Sequence, residues 1–182
     1  MPYDPNQARV PAGNPNGGEW TDEQLHTIEN AARRAAGLPP ARVEFSDGNA
    51  VDLIRGINGL PPHLKGYVTV YSEEEYRKMG AKIYLTEDKL SGFAVKPDGE
   101  MISAFSLVRG RGDSIVDCAL ERGATHLDCY EHPTTRHLVK LYSAAGFVET
   151  KRLKWDDQYA PEGWDYERND NPDVVFMERK EN

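Results

Sequence analysis

The 182-residue chain sets 22 Lys and Arg against 30 Asp and Glu for a formal charge of −8, a balance that excludes sequence-independent binding to nucleic acid, which needs cations to neutralise phosphates. Apolar residues make up 38% of it, enough for one sizeable core, while no apolar run reaches the roughly 20 residues of a membrane span or forms a signal-peptide h-region. The two cysteines, Cys118 and Cys129, sit inside apolar periodic segments, which argues against a disulfide scaffold and fits a reducing cytoplasm.

Residues 1–20 read as a flexible tail, because Pro2, Pro5, Pro11 and Pro15 with Gly13, Gly17 and Gly18 break helix and strand alike. Within it, Arg9-Val10-Pro11-Ala12-Gly13 followed by Gly17-Gly18-Glu19-Trp20-Thr21 resembles a short segment of tailed-phage head-associated proteins; a plain linker anchored by Trp20 is the alternative. Thr21-Asp22-Glu23-Gln24 has capping-box form and opens a helix with a thin apolar stripe of Leu25, Ile28, Ala32 and Ala35, which Gly37-Leu38-Pro39-Pro40 stops. A second short helix is expected over residues 50–57, ending near Gly59. Residues 21–63 are thus read as a helical N-terminal extension, and residues 64–182 as the main domain.

Tyr67-Val68-Thr69-Val70-Tyr71 is a β-forming run. Ser72-Glu73-Glu74-Glu75 is a capping box opening a helix that Gly80 closes, and its acids suit the helix dipole rather than catalysis. Strands are expected over residues 82–86, 92–96 and 101–108, with a turn at Lys96-Pro97-Asp98-Gly99 where Pro presets φ and Gly accepts a positive one.

Directly after the third strand stands Arg109-Gly110-Arg111-Gly112-Asp113-Ser114, followed by a helix with Ile115, Ala119 and Leu120 on one face. Unpaired N–H groups and the dipole at such a helix start favour a pyrophosphate, glycines admit its close approach, and Arg109 and Arg111 add charge-assisted donors. A plain connection remains the alternative. Two glycines make a poor dinucleotide fingerprint, and the absence of Gly-Lys-Ser/Thr excludes a triphosphate loop. A strand over residues 125–131 puts Leu127 and Cys129 on one face and His126, Asp128 and Tyr130 on the other. A helix opening at Pro133 or Thr134 then carries Leu138, Leu141, Tyr142 and Ala145 at helical spacing, Gly146 ends it, and Phe147-Val148 starts another strand. His126, Cys129, His132 and His137 are zinc-ligand types, but the odd spacing points His126 and Cys129 to opposite faces, so no metal is expected.

Arg109-x-x-Gly112-x-Ser114 and Leu141-Tyr142-Ser143-Ala144-Ala145-Gly146-Phe147, in this order, resemble two signatures of the GNAT superfamily of N-acyltransferases, Arg/Gln-x-x-Gly-x-Gly/Ala and a helix ending Leu-Tyr-x-x-x-Gly-Phe. The resemblance spans roughly residues 66–180, with the specific motifs inside 105–148. It implies an α+β fold: a mixed, mostly antiparallel central sheet with two splayed strands, flanked by helices. It also implies an enzyme, transferring an acetyl group from acetyl-coenzyme A, its co-substrate, to an amine by direct attack on the thioester.

On that resemblance the main-chain amides from Gly110 to Ser114 (Gly110, Arg111, Gly112, Asp113 and Ser114), with Arg109, bind the pyrophosphate. Leu107 and Val108 hold the pantetheine arm through their backbone, Thr135 stands where many members place an arm-binding Asn, and Tyr142 protonates the departing thiolate. Asp128 and Glu131 are the candidate bases, with His132 after them. Trp155, Asp156, Asp157, Tyr159, Trp164, Asp165 and Tyr166 either line a cationic acceptor pocket or pack as a loop before a last strand over residues 174–177. Expected partners are acetyl-coenzyme A and an amine, cationic if the acidic surface bears on it; neither nucleic acid nor membrane is expected. A non-catalytic acyl-coenzyme A binder, a phage-associated protein docking a partner through residues 1–63, and a homodimer are the alternatives kept open.

Overall fold

The structure is a computed structural model and describes residues 29, 31–38, 41–131 and 136–180, residues 136 and 137 by backbone only. The tail, the phage-like segment, the capping box at Thr21, His132 and Thr135 lie outside the described residues. Two compact units are present, Met1–Ala41 and Arg42–Asn182. In the first, residues 31–35 are helical, and the helix stops at Gly37 as Leu38 N–H reaches Arg33 O at 2.8 Å and Gly37 N–H reaches Arg34 O at 3.1 Å, the bond pattern of a Schellman stop.

The second unit opens with the two-residue strand β1 (Ser46–Asp47), then α1 (Ala50–Asn58), α2 (Pro62–Lys65) and α3 (Glu73–Lys78). Asn49 caps α1 by accepting from Asp52 N–H, and Ser72 and Glu75 form the reciprocal box expected at α3. α1 ends at Asn58 with Gly59 as its cap, where the sequence places the stop, and Pro62 occupies the first turn of α2, where its missing N–H costs nothing. Strands β2 (Lys82–Leu85), β3 (Ser91–Val95) and β4 (Met101–Ser106) make an antiparallel meander that β1 extends at its far edge. Helix α4 (Gly112–Glu121), β5 (His126–Glu131), α5 (Arg136–Ala144) and β6 (Phe147–Leu153) follow, then a single 3₁₀ turn (Asp157–Tyr159), α6 (Tyr166–Asn169) and β7 (Asp173–Arg179). The last strands form a second antiparallel sheet in the order β5-β7-β6.

β3 is buried along its whole length because both faces of the first sheet are covered. On one side Leu53 and Ile57 of α1 and Tyr76 of α3 pack on Leu85, Ala94, Ile102 and Phe105. On the other, Ile115, Val116 and Ala119 of α4 and Tyr142 of α5 pack with Phe93, Val95 and Met101, and the same cluster runs on into the second sheet through Leu127, Val175 and Met177. Residues 42–63, read from the sequence as part of an N-terminal extension, therefore belong to this unit: Leu53 and Ile57 are fully buried in its core.

The β-forming run at Tyr67 is not a strand. Tyr67 and Val68 donate backward into a turn, to Leu64 O and Lys65 O, while Ser103 Oγ donates to Thr69 O at 2.8 Å and Tyr76 Oη accepts from Tyr71 N–H. Side chains of other elements take the backbone groups that a ladder would need. Among the described residues no helix is long and apolar enough to cross a membrane.

Candidate active site

Between the two sheets lies a gap with a defined cause. β4 and β5 run parallel but meet at a single bridge, Glu100 to His126, where Gly99 O accepts from Thr125 N–H at 2.8 Å and His126 N–H at 3.3 Å. Only glycine suits that vertex: Gly99 has φ +89° and a Cβ there would sit 2.3 Å from Thr125 Oγ1. Beyond it the strands part. The register of β3 on β4 slips between Gly92 and Ala94, inserting an extra residue into β4 around Ser103, whose φ is +55°; a bulge of this kind bends its strand.

The parting leaves the outer edge of β4 without a strand partner, and the ladder's alternation tells which groups face the gap. Leu107 N–H is spent on Leu90 O at 2.8 Å, and the Ser106 hydroxyl both accepts from Val108 N–H and donates to Val108 O. The N–H of Leu107 and both main-chain groups of Val108, the residues expected to hold the pantetheine arm, are therefore engaged within the chain. Ser106 pairs with Ser91 at the non-hydrogen-bonded position, as the flanking bond from Leu107 N–H to Leu90 O fixes, so the N–H and C=O of Ser106 point away from β3 and toward the gap. Sequence reading missed it because strand phase on a bulged strand is set by the partner.

At the end of β4 the chain turns into α4 through Gly110, at φ +86°. The first intrahelical bond is Ile115 N–H to Arg111 O at 3.0 Å, which leaves the N–H groups of Gly112, Asp113 and Ser114 ahead of it, a donor cluster at the positive end of the dipole. Arg109 is exposed and has no ion pair among the described residues. Arg111 is different. It is 3% exposed, forks onto both Asp88 oxygens at 2.7 and 3.0 Å and donates to Ser91 Oγ at 3.2 Å. Burial opposes ionisation of Asp88, yet the Arg111 guanidinium, the Thr86 hydroxyl and Leu90 N–H hold its carboxyl at about 2. Arg111 thus clamps the loop onto the β2–β3 turn, and of the two arginines only Arg109 faces solvent. Ser114 Oγ is likewise engaged, accepting from Val43 N–H at 3.0 Å, and Asp113 sets an exposed carboxylate in the first turn of α4.

Tyr142 on α5 is buried against Phe147, and no described residue hydrogen-bonds its hydroxyl. Burial, then the nearby Cys129 and Asp128, pushes its phenol above the ordinary range. Asp128 is exposed on the outward face of β5, yet surrounding protein raises its carboxyl, desolvation first and the charge of Glu100 second. Glu131 has the opposite parity on β5, with Cys129, and its carboxylate is ion-paired to Arg152, which also binds Glu149 and Asp173. The structure therefore separates the two candidate bases. Cys129 is buried, its thiol raised to about 12 by desolvation, which makes it inert as a nucleophile.

Further along that face, Tyr130 meets Tyr67 at 5.6 Å, Trp164 at 5.5 Å and Trp155 at 6.3 Å between ring centroids, so the aromatic residues before β7 do converge on β5. His126 lies with Asp98 and Glu100 rather than with Cys129, their ligand atoms within 4.8 Å of one another. The Lys96 ammonium already bridges both of those carboxylates, so the cluster is charge-compensated.

No protein-family model and no curated sequence matches the chain. Solved structures do. The spermidine N-acetyltransferase of Vibrio cholerae, determined with CoA and spermine, superposes with a TM-score of 0.52 at 16% identity over 75% of this chain and 94% of that one. A GNAT-family acetyltransferase from Streptococcus pneumoniae gives 0.51 at 14% identity over 75% and 98%. This is the GNAT fold. A GNAT phosphinothricin acetyltransferase from Sinorhizobium meliloti, in complex with AcCoA, agrees at 0.50 and 17% identity over 76% and 88%. In the GNAT fold of this chain the splayed pair is β4 and β5, which meet only at the Glu100–His126 bridge.

Proposed function

We propose that the protein is an acetyl-coenzyme A dependent N-acetyltransferase acting on an amine. The observation that supports this reading is the parting of β4 from β5 after a single bridge, with the amides of Gly112 to Ser114 left outside the helix ladder at the end of β4, Asp128 on β5 and Tyr142 on the neighbouring α5. Those amides and Arg109 suit a pyrophosphate. The main chain of Ser106 suits an extended amide-bearing arm, and its N–H suits the thioester carbonyl, where negative charge develops.

The amine nitrogen attacks the carbonyl carbon and the C–S bond breaks. The proton shed by the amine goes to the Asp128 carboxylate, and the thiolate takes one from the Tyr142 hydroxyl. A phenol held above its usual range stays protonated throughout the neutral region, and an aspartate with a raised carboxyl is a better base than an ordinary one. In a thiol-release assay with acetyl-coenzyme A and a panel of amines, Tyr142→Phe should lower kcat about 100-fold and leave the KM for acetyl-coenzyme A within a factor of about two. Thermal stabilisation by acetyl-coenzyme A without thiol release from any amine would move the protein to a non-catalytic acyl-coenzyme A binder.

A further inference from the structure

Asp128 on β5 and Asp157 in the 3₁₀ turn are carboxylates that lack any cation among the described residues. Glu100 is neutralised by Lys96, but Asp128 has no ion pair, and neither has Asp157. Asp157 accepts from Trp155 Nε1 at 2.7 Å and from the Tyr166 hydroxyl at 3.1 Å, two neutral donors that leave its charge uncompensated. Between the two acids lie aromatic rings. Asp128 and Tyr130 are two residues apart on one strand face, roughly 7 Å, and Tyr130 neighbours Trp155 with centroids 6.3 Å apart. Tyr130 and Trp155 are each half-buried. The indole N–H is taken by Asp157, Trp164 packs against the ring at 4.7 Å and Tyr166 meets it edge-on at 6.0 Å, so what Trp155 offers a ligand is the part of its half-buried ring that these leave open.

We propose that this run of carboxylate, aromatic wall and carboxylate seats a flexible aliphatic amine bearing a second positive charge, with its reactive nitrogen at Asp128 and its far ammonium at Trp155 and Asp157. The proposal rests on the acyl-transfer reading and adds the charge and length of the acceptor. An ammonium over an indole or phenol face is attracted by the ring quadrupole, while an alkyl linker gains from the same apolar surface. A distal carboxylate would meet Asp157 with like charge.

Three seven-carbon probes isolate the far end: 1,7-diaminoheptane, heptylamine and 7-aminoheptanoate. Calorimetric binding to the full chain saturated with coenzyme A should favour the diamine over heptylamine about tenfold or more and 7-aminoheptanoate least. Asp157→Asn, which keeps an oxygen acceptor for Trp155 and so the local fold, should collapse the diamine preference to under about threefold, with an unchanged melting temperature as the folding control. Thiol release from acetyl-coenzyme A, run in parallel, separates the two ideas. Turnover with no preference among the probes overturns the charged acceptor and leaves acyl transfer standing. Preference in binding without thiol release upholds the dication site and overturns acyl transfer. Equal binding of all three probes, or a preference that survives Asp157→Asn, overturns the proposal.

Discussion

Burial acts on Asp128 and Tyr142 in the same direction, raising both, but the consequences differ in kind. Tyr142 is a neutral acid that desolvation keeps neutral, so its state at working pH suits the fold as well as the reaction. Asp128 sits where burial and the charge of Glu100 disfavour its carboxylate form. A carboxyl raised on folding stabilises the protein below its unfolded value of about 3.9 and loses that stability as pH climbs through the folded value. Asp128→Asn should therefore melt higher than the parent chain at about pH 8, with the difference gone near pH 3. The same variant should lose about 100-fold in kcat/KM and with it the rising acid limb of the pH–rate profile, which in the parent chain lies above the ordinary aspartate range. A variant less stable at pH 8, or one that keeps the limb, would assign Asp128 a structural role.

The β4–α4 turn is held in place by an ion pair, not by its own glycines alone. Arg111 and Asp88 lie 23 residues apart, and their side chains are 4% and 17% exposed, so the pair is shielded enough for its charge state to matter. A carboxyl lowered on folding contributes stability that is complete above about pH 4 and lost as pH falls toward 2. Asp88→Asn strands a buried guanidinium and should cost about 3 kcal/mol at pH 7 in urea unfolding, with the deficit shrinking as pH approaches 2, where the parent carboxylate is itself protonated. Because the same pair fixes the mouth of α4, acetyl-coenzyme A should bind the variant several-fold more weakly.

The glycines and arginines of that turn were legible in the sequence, as was the order of strands and helices that follows it. Which arginine stays free was not, because the answer is Asp88, and no local pattern joins positions 88 and 111. The bulge at Ser103 escaped for a similar reason: neither Gly nor Pro marks it. The run at Tyr67 has strand propensity, and the hydroxyls of Ser103 and Tyr76 overrule it. On β5 the separation of Asp128 from Glu131 follows from parity alone, but only Arg152, brought in from β6, shows that Glu131 is committed.

At the scale of the molecule the question is where the foldable unit begins. Both hydrophobic clusters of the larger unit draw on described residues from Phe45 to Met177, and no described residue before Arg42 belongs to either. A chain starting at Arg42 should unfold cooperatively, with a melting temperature within a few degrees of the full chain's and the same response to acetyl-coenzyme A. A chain starting at residue 64 should not. It deletes Leu53, Ile57 and Leu60, at 0%, 0% and 8% exposure, and burial of three such side chains contributes roughly 5–8 kcal/mol, most of what a domain of this size has to spare. The same cut removes Val43, whose N–H is bonded to Ser114 Oγ in the first turn of α4, so the loss should reach the coenzyme mouth even in the fraction that stays compact. Circular-dichroism melts of the two truncations decide it: a sharp transition for the chain from residue 64, at the full chain's temperature, would mean that α1 rests on the β-meander without supporting it.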